Sequence, residues 1–521
     1  MEPNEVYSTL ISHRAQATPD AVFAEEINGR SATYADLDAR GRQWAGLLQS
    51  LGIGPGDRVL TMLPTGLHTF EVWAGCASLR AMEVPINIQY LGELLEYQIN
   101  DAQASVIIIA ERWLPRLQDI AARCAHLETV IIHGADAPEP DLPFQVLGAD
   151  AALADAPDPG HLEPPQPHDI AAIVYTSGTT GPSKGVLVPW AQLHSTAVGA
   201  GSPEELDKDE VLYLPFPSYH ISARSPAYQM LLCGGRVVIK ETFATDEFWP
   251  DIRAYGCTFA ILIFTMAQFI WNLPAQPNDA DNPLRRLLMV PPLPNVDEFA
   301  ARYDITVRTM FNMTEVSIPI STGWAIDDPA SCGTAREGFE CRLVDGNDME
   351  VAPGTIGELL VRADEPWVLN AGYWNKPEQT AAAWRNGWFH TGDAFICDEA
   401  GRFYFVDRFK DAIRRRGENI SSMEVEGVVN SHPAVAESAA IGVPSNVGED
   451  DVMCFVVKSG DSEVGPAELV EYLNERLPRF MVPRYLDFVD ELPKTPTAKI
   501  RKIDLRARGI TDTTWDRNAA R

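Results

Sequence analysis

Apolar and polar positions along this chain recur with two periods, and the change from one to the other divides it. Residues 34–51 have the spacing of an amphipathic helix. Residues 58–63 read as a strand that follows the Gly52/Gly54-Pro55-Gly56 turn. Residues 104–110 and 130–132 are apolar almost throughout, as in strands buried on both faces of a parallel sheet. The pattern then lapses. Residues 134–169 are rich in Pro, Ala and Asp and are expected to form an exposed connection without a stable element. A second strand–helix series runs through 211–216, 236–239, 258–264 and 306–311. After about residue 335 short strands and turns take over, clearest at 357–362.

Alternation of this kind predicts an α/β fold. We expect a large, multi-subdomain N-terminal domain over residues 1–407, with layered αβ sheets and a small β-barrel-like unit. A small α+β domain over 408–521 would follow, built from strands and helices at 423–431, 438–443, 452–458 and 466–477, with a polar tail after Arg508. A chain of 521 residues is too long for one core. No internal repeat or sustained heptad pattern is visible.

Composition narrows the function. The net charge of −31 argues against broad binding of nucleic acid or anionic membrane. The eight cysteines show no zinc spacing and read as buried thiols of a reducing cytoplasm. No targeting segment is evident at the N-terminus. The greasiest stretch, 258–271, is shorter than the ~20 residues a membrane span needs. It reads instead as a strand running into a helix.

The densest chemistry lies at 175–186, Tyr-Thr-Ser-Gly-Thr-Thr-Gly-Pro-Ser-Lys-Gly-Val. Gly178, Gly181 and Gly185 let backbone N–H groups approach anionic oxygens. Thr176, Ser177, Thr179, Thr180 and Ser183 add hydroxyls, and Lys184 adds a point charge. The loop follows an apolar run, so it leaves the end of a buried strand, where α/β proteins place ligands. It is not a Walker A loop, because Gly178 is followed after four residues by Ser183-Lys184-Gly185 rather than Gly-Lys-Ser/Thr.

Further stretches join it in order: Phe311-Asn-Met-Thr-Glu315, Trp388-Phe-His-Thr-Gly-Asp393, Tyr404 through Asp411, Arg414-Arg-Arg-Gly-Glu-Asn419, and Leu492 through Lys499. Together they resemble the ANL superfamily of adenylate-forming enzymes, with residues 404–426 most similar to bacterial carnitine/crotonobetaine-type CoA ligases. The resemblance spans residues 10 to 507 or so. It implies an AMP-forming acid–thiol ligase that uses ATP, Mg²⁺ and CoA. A carboxylate would attack the α-phosphate of ATP, and CoA would then displace AMP.

The resemblance also implies residue roles. The 176–185 loop would hold the β- and γ-phosphates. Thr314 would bond the α-phosphate and Glu315 would bind Mg²⁺. Phe311, beside Asn312, would stack on adenine. Asp393 would accept from the ribose hydroxyls, with Arg408 in support. His220, in Pro215-Phe-Pro-Ser-Tyr-His, would orient the acid. Lys499 would be the catalytic lysine of adenylation, although Ala498 replaces the usual preceding glycine. Lys410 would be the hinge, and Gly417 would line the pantetheine tunnel. Arg414, Arg415 and Arg416 are candidates for CoA phosphate contacts, with a solvated basic edge as the alternative.

The chain departs from the family at Met289, Val290 and Pro291, at Phe264, and at Trp190 after Pro189. These larger side chains predict a shortened or reshaped acyl pocket, and a compact or cyclic carboxylate rather than a long-chain fatty acid. They also keep open a stand-alone amide synthetase, with an amine as acceptor. A nucleotide-binding pseudoenzyme is a further alternative. The expected partners are small molecules, with neither nucleic acid nor membrane, in a cytoplasmic monomer or homodimer.

Overall fold

Every position of the strand Val106–Ala110 is buried, as its apolar run requires. The computed structural model describes residues 1–134, 141–176, 183–202, 204–408, 412–415, 418–445, 448–460, 462–493, 500 and 502–519. By contacts the chain divides into two units. One comprises Met1–Ile88, Ile99–Val174 and Gly185–Asp407; the other comprises Gln89–Gln98, Tyr175–Lys184 and Arg408–Arg521.

Two seven-stranded sheets organise the first unit. In one, the strands lie in the order Thr306–Arg308, Arg286–Val290, Phe259–Ile263, Val211–Leu214, Arg236–Ile239, Val22–Glu26 and Ser31–Thr33. All its pairings are parallel except the last. Parallel neighbours need long crossovers. The helices Ile221–Cys233, Phe248–Tyr255, Phe264–Trp271 and Val296–Tyr303 supply them. The other sheet runs Gln145–Gly148, Thr129–His133, Val106–Ala110, Arg58–Met62, Met82–Pro85, Ile170–Thr176 and Lys184–Pro189. A smaller antiparallel sheet joins Phe339–Val344, Gly357–Ala363, Trp388–Cys397 and Trp384–Arg385, with Phe403–Arg408 paired to Trp388–Cys397.

The core of the first unit has an aromatic centre. Tyr7 lies 4.0 Å from Trp73 and Trp73 lies 5.4 Å from Trp190, between ring centroids, and Tyr228 meets all three rings edge-on. In the second unit, four strands, Val435–Pro444, Asp450–Lys458, Tyr485–Phe488 and Trp515–Asp516, carry a core with the helices Ser422–Asn430 and Pro466–Asn474.

The structure adds to or corrects the sequence reading in three places. The stretch 134–169 is not a bare connection: Gln145–Gly148 extends the second sheet and Ala149–Ala154 is helical. The polar tail after Arg508 is structured, because Arg484 forks onto both oxygens of Asp516 at 3.1 and 3.0 Å and fixes the last strand. Residues 306–311 are not one strand. Thr306–Arg308 ends the large sheet, and Met310–Met313 starts a separate three-stranded sheet.

Candidate active site

The order of the first sheet creates the crevice. Val211–Leu214 connects onward to its neighbour Arg236–Ile239 on one side, and Phe259–Ile263 connects onward to Arg286–Val290 on the other. Connections that diverge from adjacent strands leave a cleft at their carboxyl ends, where open α/β sheets bind ligands. Four chain segments emerge there. Pro215–His220 follows the first strand, Phe264 the second and Pro291 the third, and 309–315 follows Thr306–Arg308.

His220 is the N-cap of Ile221–Cys233, with its ring 4.6 Å from that of Tyr219. It is only partly buried, so it is not a sealed core histidine. The loop before it is fastened from below. Ser218 N–H donates to Thr65 Oγ1 at 2.9 Å, and Arg224 Nε donates to the Ser218 carbonyl at 2.8 Å. The Arg224 guanidinium also forks onto Glu83, which accepts from Thr61 Oγ1 at 2.7 Å. Both members of this pair are essentially inaccessible to solvent.

The departures from the family pattern separate into two kinds. Trp190 is 1% exposed within the aromatic centre, and Met289 is fully buried, its sulfur accepting from Leu293 N–H. Their bulk therefore fills the core. This corrects the expectation that they shorten or reshape the acyl pocket. Phe264 and Val290 are partly exposed at their strand ends, where they can do so.

Thr314 and Glu315 form the turn between Met310–Met313 and Ser317–Ser321. Ser317 closes that turn at φ +63°, its hydroxyl held by Thr196 Oγ1 at 3.0 Å. Side chains that motif reading did not single out brace the pair. Gln192 Nε2 donates to the Thr314 carbonyl at 2.6 Å. Asn370 donates to the Glu315 carbonyl twice, from its backbone N–H at 3.0 Å and from Nδ2 at 2.8 Å. Tyr373 Oη donates to Glu315 Oε1 at 3.2 Å. Burial first, and the Glu315 charge second, hold the Tyr373 hydroxyl far above its ordinary pKa, so it remains a donor. Because these partners are distant in sequence, no local spacing announced them.

The described residues hold no group of three or more His, Cys, Asp or Glu able to bind a metal ion. Glu315 therefore offers one hard carboxylate. That fits Mg²⁺, which takes one or two carboxylates and completes its shell with substrate phosphate and water.

Asp393 is buried, on the strand Trp388–Cys397. Two residues on, Phe395 meets the edge of Phe311 at 4.9 Å. That contact sets the strand carrying Asp393 against the strand carrying Phe311. Asn312 is partly exposed in the irregular stretch beside it.

Thr176 ends one strand and Lys184 begins its sheet neighbour. Ser177, Gly178, Thr179, Thr180, Gly181, Lys410, Arg416, Gly417 and Lys499 lie outside the described residues, as do the side chains of Arg408 and Arg414. Within the second unit, the N–H and hydroxyl of Ser183 both donate to Glu424 Oε1, the N–H at 3.0 Å. Arg415 is neither a CoA ligand nor a solvated edge. It is buried, donates to the Phe480 and Val482 carbonyls at 2.9 and 3.1 Å, and pairs with Asp451 at 3.0 Å.

With this geometry in place, the comparisons with known proteins are decisive. Residues 11–374 match the AMP-binding enzyme family, and residues 424–499 match the AMP-binding enzyme C-terminal domain. The chain belongs to the AMP-binding enzyme family. A crotonobetaine/carnitine–CoA ligase from Salmonella enteritidis is 28% identical over 500 residues, covering 93% of this chain and 95% of its own. An o-succinylbenzoate CoA synthetase from Bacillus subtilis matches with a TM-score of 0.83 at 23% identity, over 96% of this chain and 98% of its own. An amide bond synthetase from Marinactinospora thermotolerans gives the same TM-score and identity over 96% and 99%. At that identity these two structures establish the fold of this AMP-binding enzyme and nothing finer. The expected class, an AMP-forming acid–thiol ligase, is the class its curated relatives carry. Among the described residues no helix is long and apolar enough to cross a membrane.

Proposed function

We propose that this AMP-binding enzyme is an ATP-dependent carboxylate–CoA ligase for a compact acid. The observation that carries the reading is the carboxyl edge of the first sheet. The His220 loop and Phe264 follow neighbouring strands there, Val290 ends the next, the Phe311–Glu315 segment follows the last of them, and Phe395, two residues after Asp393, meets Phe311.

The chemistry follows from charge. A carboxylate oxygen attacks the α-phosphorus of ATP, the bond to pyrophosphate breaks, and an acyl-adenylate forms. One anion must approach another, so the site has to place them in line and neutralise them. His220, at the positive end of a 13-residue helix, receives the acid. Thr314 bonds the α-phosphate. Phe311 covers adenine and Asp393 takes the ribose hydroxyls. Glu315 is the residue that would hold Mg²⁺, which when bound neutralises phosphate charge. Lys499 bridges the carboxylate and the α-phosphate as charge reorganises, and Arg408 supports the ribose. In the second step the CoA thiolate attacks the acyl carbon and AMP leaves, with Lys410 as the hinge and Gly417 beside the pantetheine. The resident domains are residues 1–407 and 408–521.

The test is pyrophosphate release with Mg²⁺-ATP across short, alicyclic, aromatic, trimethylammonium and long-chain acids, each with CoA, with an amine, or with neither. Acid-dependent pyrophosphate with an acyl-CoA mass is expected. An amide mass without thioester would replace CoA by an amine as acceptor. Turnover of palmitate alone would overturn the compact-acid reading, and no pyrophosphate with any acid would overturn the ligase.

A further inference from the structure

The strand pairing around Asp393 is interrupted. Glu358 faces Ala394, and Leu360 faces His390. One residue on the first strand, Leu359, thus opposes three on the second, Thr391, Gly392 and Asp393. This is a bulge of two extra residues, a feature that re-aims side chains beside active sites. Gly392 takes φ +71°, a conformation suited to glycine.

The bulge is fastened by side chains. Glu358 Oε1 accepts from Gly392 N–H at 3.0 Å, and Glu358 Oε2 lies 3.1 Å from His390 Nδ1. Thr391 Oγ1 donates to the Leu359 carbonyl at 2.7 Å and accepts from Asp393 N–H at 3.1 Å. The His390 side chain is 3% exposed, and Nε2 has no hydrogen-bond partner among the described residues. The Nδ1 contact with Glu358 is thus what holds the buried ring. Arg385 adds positive charge 3.6 Å from Glu358 Oε2 and itself forks onto Asp348. Both Glu358 oxygens are therefore committed to the bulge and to the histidine beside it.

We propose that Glu358 is a positioning residue for the nucleotide ribose: supported by His390 and assisted by Thr391, it holds the bulge that aims Asp393. This rests on the reading of Asp393 as the ribose acceptor. The position of a carboxylate decides how well it distinguishes a hydroxyl from a hydrogen, so the selective readout is discrimination between ATP and 2′-deoxy-ATP.

The experiment measures kcat and KM for both nucleotides, and equilibrium binding of AMP and 2′-deoxy-AMP, in the full-length enzyme and in E358A, T391V, D393A and the E358A/D393A double variant. Wild type should prefer the ribonucleotide by tenfold or more. E358A and the near-isosteric T391V should each lose most of that preference, mainly through KM, with KM for the acid unchanged. The double variant should discriminate no less than D393A alone, because the two residues act as one unit. Wild-type discrimination in soluble E358A or T391V would overturn the proposal, as would effects of E358A and D393A that simply add. Discrimination intact in D393A would instead overturn the ribose reading, and the proposal with it. Should E358A fail to fold, T391V alone decides.

Discussion

In the proposed role Glu315 would offer Mg²⁺ one fixed oxygen pair, and Tyr373 and Asn370 supply the fixing. Groups that orient a metal ligand typically change affinity or activity 10–100-fold when removed. Tyr373→Phe should accordingly lower kcat/KM for ATP about tenfold and raise the Mg²⁺ concentration for half-maximal pyrophosphate release. An unchanged Mg²⁺ dependence would leave Tyr373 only a packing role. Arg415 makes the opposite case. Its charge read as a CoA contact in sequence, where a basic run looks solvated by default. Its fork is spent inside the second unit on the Phe480 and Val482 carbonyls and on Asp451. Arg415→Ala should destabilise the protein by roughly 1–3 kcal/mol, the cost of leaving buried acceptors unpaired, while KM for CoA of the folded enzyme stays as it was. Denaturant unfolding alongside CoA titration checks both parts.

At the scale of elements, what was legible followed from burial on two faces. Val106–Ala110 and Phe259–Ile263, the latter running into Phe264–Trp271, stand where apolar runs put them. The short strands Gln145–Gly148 and Trp515–Asp516 were not legible, because each is made by its neighbour. One is added to a sheet edge, and the other is fixed by the fork of Arg484. The site behaved alike. Its motifs marked the loops, but not the long-range braces from Gln192, Asn370 and Tyr373, nor which bulky departures face the crevice. The His220 loop depends on such a brace: Arg224 holds the Ser218 carbonyl only while Glu83 holds Arg224. Breaking a buried pair by neutralising one partner costs about 3–5 kcal/mol. Glu83→Gln should cost that much in urea unfolding, and it should also raise KM for the acid more than KM for ATP. A change confined to stability would separate the pair from the His220 loop.

Across the whole molecule, two responses to acid oppose each other. The net charge of −31 means that protonating carboxylates relieves self-repulsion, an effect that salt screens. Three histidines that are buried or partly buried act the other way. His68 and His133 stack with ring centroids 4.3 Å apart, and His68 Nε2 donates to the Pro64 carbonyl at 2.9 Å. Burial first, then the His133 charge, lower the His68 pKa to about 3, and burial also lowers those of His133 and His194. With the folded pKa below the unfolded value, the folded state resists a proton that the unfolded state accepts. The stability conferred by a neutral ring is therefore complete above pH ~6.5 and is lost as pH falls toward about 3. Few carboxylates titrate between pH 6.5 and 5. In that window His68 alone should remove about 2 kcal/mol, at 1.36 kcal/mol per pH unit. At 1 M salt, where the Debye length is about 3 Å, the relief of repulsion is suppressed and the loss should stand clear as a falling unfolding midpoint. His68→Gln, which keeps a donor for Pro64 without a titrating ring, should flatten the slope by the His68 share and leave that of His133 and His194. An equal slope in the variant would mean that the buried pair opens to water before the protein unfolds.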